Sequence, residues 1–416
     1  MAMSTAIVRT VWRFEVHTDL RGSVMRLRLL LALIAALALG GCGVPSIASG
    51  PPHHGSLADI RSLDMLNAMQ GWTYGPGLVA RTSDGARTFV DVTPPDVRSQ
   101  QQVGGTFFFD SKRAWVWVED KNGSAPATLE TTSDGGATWQ ATGFRTTTDG
   151  GLTFVDSSHG WMLTGQGVAD HTAVENTLWR TVDGGRSWSA VYRWTHKLTI
   201  QPNVQTGDCA MGEITWTSTS RGFAGVGCPF DSPPALAVTD DGGVTWTQEP
   251  LPPLKTLAGV SLGESTGITR AFSMGPLIAS VSRCVGPDGE SCRDYGALYR
   301  SSDDGATWSQ GAIVWGGVDI QMPDPDHGFL PDACLTDQCE SPALLTTSDG
   351  GLSWQQLSLP RALWPNMHAA RFYQFVTATV GFAVATSPSF GAAEPAAFYS
   401  TIDGGHTFSS FTPVLV

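Results

Sequence analysis

From residue 57 onward the apolar positions fall in short runs broken by glycine, aspartate and serine, and none keeps the 3.6-residue period of an amphipathic helix. Runs of that length bounded by turn residues predict short strands joined by hairpins. One hairpin frame places an apolar residue six positions before a small residue that is followed by an aromatic. It is met at Met65 to Gly71-Trp72, Phe108 to Ala114-Trp115 and Phe154 to Gly160-Trp161. It returns at Trp216 to Gly222-Phe223, Met322 to Gly328-Phe329 and Phe375 to Gly381-Phe382.

Downstream of these frames one eight-residue phrase recurs seven times, as in Thr132-Ser-Asp134-Gly-Gly136-Ala-Thr138-Trp139. Its aspartates are Asp84, Asp134, Asp183, Asp241, Asp303, Asp349 and Asp403, at intervals of 50, 49, 58, 62, 46 and 54 residues. Such a period belongs to repeat arrays and propellers. Each phrase reads as a turn: the carboxylate accepts bonds from amides ahead of it, glycine supplies positive φ, and the final aromatic anchors the next strand. Two hairpins per unit make four strands, and seven units predict an all-β, seven-bladed β-propeller over residues 57–416. The stretch from Ala258 to Pro276 fits worst and predicts an embellished fifth blade. The first phrase departs too, with Ala86 in place of glycine.

The S/T-x-D-x-G-x-T-W phrase resembles the Asp-box, or BNR repeat, of sialidases, xyloglucan-active glycosidases, sortilin-type receptors and the photosystem II stability/assembly factor family. The alternation of both hairpin types over seven units is most similar to the last. The resemblance speaks for fold more than for function, which resides in sites. Sialidase chemistry would imply an arginine triad, a tyrosine nucleophile with a glutamate, an aspartate acid/base, and an early Phe/Tyr-Arg-Ile-Pro segment. That segment is absent, and none of Tyr74, Tyr192, Tyr295, Tyr299, Tyr373 and Tyr399 sits in a phrase that nominates it. Seven equivalent turns do not make one active site, so the repeated aspartates are assigned a structural role. His159 and His327 occupy matching hairpin turns and are assigned likewise. Asp324-Pro-Asp326-His-Gly328 and Asp240-Asp241 match no calcium loop. No cofactor or metal is expected.

Composition narrows the partners. A net charge of −13 and only four lysines argue against nucleic acid. Arg26 and Arg28 precede an 11-residue apolar run, Leu29 to Leu39, and then Leu39-Gly40-Gly41-Cys42. The run is too short to span a bilayer and has the form of a signal peptide ending in a lipobox. Residues 1–41 are therefore expected to be removed, with Met25 as the start, Cys42 lipidated and residues 42–56 a tether. Without residues 1–41 the charge becomes −16. The other six cysteines fall into neighbouring pairs, Cys209/Cys228, Cys284/Cys292 and Cys334/Cys339, which read as disulfides of an exported protein. Zinc ligation is the rival reading, although no C-x-x-C spacing supports it.

If the repeated phrase joins the third and fourth strands of each blade, the loops between second and third strands emerge at the opposite end. These include the segments holding Cys284/Cys292 and Cys334/Cys339, with 168–176 and 387–395. Cys209/Cys228 would clamp an outer hairpin of the fourth blade near Ser218. Rigid loops suit recognition, and protection from proteolysis is the equal alternative. The expected function is a monomeric, lipid-anchored scaffold on the extracytoplasmic side of the cell membrane, binding an envelope or secreted protein. A glycan-active or glycan-binding propeller is the alternative, with an exo-α-sialidase type of hydrolase as its enzymatic form.

Overall fold

The computed structural model describes residues 55–416 apart from 98–99, 123–124, 147–150, 168–172, 198–209, 228–234, 254–267, 274–276, 286–292, 317–319, 332, 336–342, 360–362, 364–369 and 387–395. The predicted signal segment, Cys42, Cys209, Cys228, Cys292 and Cys339 lie outside the described residues. The chain forms seven antiparallel blades in a propeller, with one short 3-10 turn, Leu57–Asp59, before the first. Blade one comprises Ser62–Met65, Gly71–Gly75, Leu78–Thr82 and Thr88–Asp91, paired in chain order. Blades two to seven occupy 101–146, 151–197, 210–250, 268–316, 321–358 and 370–411. Blade six begins with an isolated bridge, Gln321 to Phe329, instead of a full strand.

Register explains the first hairpin frame. In every blade but the fifth the small residue starts the second strand and lies opposite the Thr that opens the eight-residue phrase: Gly71 opposite Thr82, Ala114 opposite Thr132, Gly222 opposite Thr239. The aromatic after it then packs on the apolar residue that ends the first strand of the next blade. Trp161 stacks on Trp216 with centroids 3.7 Å apart, Trp115 on Phe154 at 3.8 Å and Phe329 on Phe375 at 3.6 Å. The frame is therefore a girdle of ring contacts between blades, burying apolar area at each seam. Blade five keeps the register with other residues: Leu277 lies opposite Ser301, and Ile278 joins Met322 in the core between blades five and six. Its inner hairpin, Ile268–Ser273 with Leu277–Val285, is as regular as the others.

First strands face the axis, because they lie against one another from blade to blade. Gln374 in blade seven bonds both the amide and the carbonyl of Met65 in blade one, and Gln321 in blade six bonds Tyr373 and Phe375 in the same manner. The fourth-blade hairpin of Ala210–Trp216 and Gly222–Gly227 is thus the inner one, not the outer hairpin expected from the sequence. On the outside, Val414–Leu415 adds a fifth strand to blade one, parallel to Thr88–Asp91, and closes the ring a second time.

Candidate functional site

The ring has two unlike ends. At one end five residues separate the first and second strands in blades one, two, three, four and seven, as from Met65 to Gly71. There, too, the eight-residue phrases join third to fourth strands, with seven residues between strands in blades two to seven. At the other end the connections between second and third strands run from two residues in blade one, Gly75 to Leu78, to eleven in blade six, Pro331 to Ala343. Connections from each fourth strand to the next blade also leave from that end.

The constant end is spent on its own turns. In blade four Thr239 Oγ1 donates to Asp241 Oδ1 and accepts from the Gly243 amide, both at 2.9 Å. Asp241 also accepts from the amides of Val244 and Thr245 and from Thr245 Oγ1. Gly242 and Gly243 take φ of 77° and 95°, the left-handed region glycine enters without strain. The same pattern holds Asp84, Asp134, Asp183, Asp303, Asp349 and Asp403. Ala86 and Asp304 adopt the left-handed conformation without being glycine.

The carboxyl acidities follow from these bonds. The hydroxyls of Thr138, Thr245, Thr307 and Ser353 are the largest influence on Asp134, Asp241, Asp303 and Asp349, and each carboxyl is held at about 2. Around Asp403 burial acts upward, but the Thr407 hydroxyl and amide outweigh it, again giving about 2. Burial also acts upward on Asp84 and Asp183, whose hydrogen bonds still leave them below the ordinary range. Such a group binds fewer protons folded than unfolded, where its value is about 4. The stability it contributes is complete above about pH 4 and is lost as pH falls toward 2. Melting curves are expected to show a falling transition temperature across that window, and a temperature unchanged down to pH 2 would contradict the account.

A second set of capped turns sits beside the first and has no counterpart in the repeated phrase. Asp110, Asp156 and Asp324 each accept from the amides two and three residues ahead, as Asn67, Ser218 and Thr377 do in blades one, four and seven. His159 and His327 are the third residues after these caps, and their Nδ1 atoms lie against Asp156 and Asp324. Both histidines are thus turn residues. The first glycine of the phrase donates back to this turn, as Gly242 N does to Ser220 O at 2.8 Å, so the two turns of a blade are fastened together.

At the variable end Cys334 is buried, disulfide-bonded and opposite Trp315 of the fifth blade's outer strand. Cys284 lies on a described strand opposite Asp294. Among the described residues no group of three or more His, Cys, Asp or Glu side chains is arranged to hold a metal, and no helix is long and apolar enough to cross a membrane.

One acid departs from the pattern. Glu130, on the third strand of blade two, is 3% exposed, its Oε1 meets no partner, and its carboxyl is hydrogen-bonded to Asp96 on the linker from blade one. Burial, and then the Asp96 carboxylate, push it up to about 7. Two carboxyls in direct contact leave no room for a sugar ring or a water between them, since glycoside hydrolases hold theirs about 5–9.5 Å apart. The pair is unsuited to that chemistry.

No protein-family model matches the chain. Over 381 residues it is 24% identical to a xyloglucanase of Hypocrea jecorina (strain QM6a), a match covering 82% of this chain and 41% of that protein. The chain thus spans less than half the length of this curated relative. Among solved structures it is similar to YCF48 bound to D1 peptide, at 17% identity and a TM-score of 0.47, covering 85% of this chain and all of that one. It is also similar to the GH74 xyloglucanase from Xanthomonas campestris, at 14% identity and a TM-score of 0.45, covering 85% and 68% respectively.

Proposed function

We propose that the chain is an exported, lipid-anchored propeller that binds or scaffolds another protein at the cell envelope, with the variable end as its binding face. The observation that carries this reading is the asymmetry of the ring. Turns of nearly constant length and fixed hydrogen bonding occupy one end, while connections of two to eleven residues leave the other. Loops raised on a rigid scaffold are where recognition commonly resides. Lipidation at Cys42 would set the ring outside the membrane, and disulfides Cys209/Cys228, Cys284/Cys292 and Cys334/Cys339 would lower the ordering cost of binding. A YCF48 structure with bound D1 peptide is consistent with such a use of the fold.

The second reading is a glycan-active propeller, favoured by the 24% identity to a xyloglucanase. Crosslinking in intact cells, followed by mass spectrometry of what the tagged protein retains, separates the two. One abundant envelope protein, lost when residues 286–292 and 336–342 are replaced, is expected. Recovery of the chain alone, together with hydrolysis of xyloglucan by the purified protein, would overturn the scaffold reading.

A further inference from the structure

Glu130 lies at a position that the other blades fill differently. Two residues before the opening Thr or Ser of the phrase stand Ala80, Trp179, Ala237, Tyr299, Leu345 and Tyr399. In blade five that residue touches the linker behind it: Tyr299 Oη donates to Pro252 O at 3.0 Å, and Leu251 packs in the same core. Blade two has the same architecture with ionisable partners. Leu129 belongs to the core between blades two and three, so its neighbour Glu130 faces blade one. The residue opposite Glu130, Val116, packs there with Val79, Val92, Val97 and Trp139. Val97 is 1% exposed, plugged into that groove from the linker, and Asp96 beside it meets Glu130.

We propose that Glu130 and Asp96 form a proton-operated latch. With one proton between the two carboxyls, residues 92–97 are held on blade two. When that proton passes to solvent, the buried Glu130 carboxylate faces the Asp96 carboxylate at the rim of the apolar groove and the linker loosens. Other ionisable groups on these elements are engaged elsewhere or exposed. Asp91 accepts from Thr93, the Arg81 guanidinium covers Gly135 in the turn of the second phrase, and Arg145, opposite Thr128, is exposed. Arg98 lies outside the described residues. Glu130 stands at about 7 folded and near 4.5 when free in solution, so its contribution is full below about pH 4.5 and is lost as pH rises through 7. That window is opposite in sign to the acid lability of the turn aspartates. The device would make the edge of the variable end tighter in a mildly acidic envelope than in a neutral one.

Hydrogen exchange on the full mature chain at pH 5 to 8, corrected for intrinsic rates, tests it. The amides of Val92 and Val97, bonded to Val79 O and Pro94 O, report the linker directly. Their protection is expected to fall at least about tenfold from pH 5 to pH 8 in the wild type. It is expected to stay level in Glu130→Gln, whose amide still donates to Asp96. Asp96→Asn, at an exposed position that cannot disrupt the core, is expected to shrink the fall. An equal fall in Glu130→Gln, or none in the wild type, would overturn the latch.

Discussion

Trp161→Ala is expected to lower the unfolding free energy by about 3–5 kcal/mol, the range for emptying a buried large aromatic site. Three contacts are lost together. The indole, 1% exposed, stacks on Trp216 across the seam between blades three and four with an interplanar angle of 9°. Its Nε1 donates to Gly242 O in the next blade's turn at 2.9 Å, and the Arg180 guanidinium lies 5.7 Å from the ring centroid. The cavity would open between two rigid sheets that cannot collapse into it. Trp161→Phe, which keeps the stack and loses the hydrogen bond, is expected to cost about 1–2 kcal/mol. Equilibrium denaturation measures both; a loss below about 1 kcal/mol for the alanine variant would mean that the seam does not hold the ring.

Gly222→Ala tests the same seam by crowding it. A methyl there would come within 2.6 Å of Trp216 Cε3, and the ring has nowhere to go because Trp161 covers one face and Trp246 meets it edge-on. Overpacking of this kind costs about 1–3 kcal/mol, and the upper end is expected. Blade two supplies the natural comparison. Ala114 already carries that methyl, and across its seam Trp72 and Phe108 stand 5.1 Å apart instead of 3.7 Å. Ala114→Gly is therefore expected to be mild. Equal effects of Gly222→Ala and Ala114→Gly on the melting temperature would contradict the crowding argument.

These two residues also show how much of the fold was legible beforehand. Gly222-Phe223 and the turn at Asp241 are read from type and spacing, because every blade solves one packing problem in one way. The fifth blade hid its inner hairpin since Leu277 and Ile278 take the places of Gly and an aromatic, and no local signal marks the exchange. Asp110 and Asp156 carry no sequence signal, and Asp324 shows only as part of a motif that fits no calcium loop, because Asn67, Ser218 and Thr377 do the same work and break the letter pattern. The ring closure by Val414–Leu415 depends on pairing with residues more than 300 positions away, which a two-residue apolar stretch cannot announce. Glu130 was legible in principle: aligning the seven phrases sets one acid among Ala, Trp, Tyr and Leu. Its meaning required Asp96, which the chain brings to it through the linker.

On the proposed function, the constant end is spent on its own turns and the variable end meets the partner. A photoreactive amino acid placed singly at Asn122 and Leu335, in variable-end connections, and at Val244 and Leu352, exposed on constant-end turns, tests it in living cells. The account predicts a discrete adduct to a second protein from Asn122 or Leu335 and none from Val244 or Leu352. Adducts only from Val244 or Leu352 would contradict it.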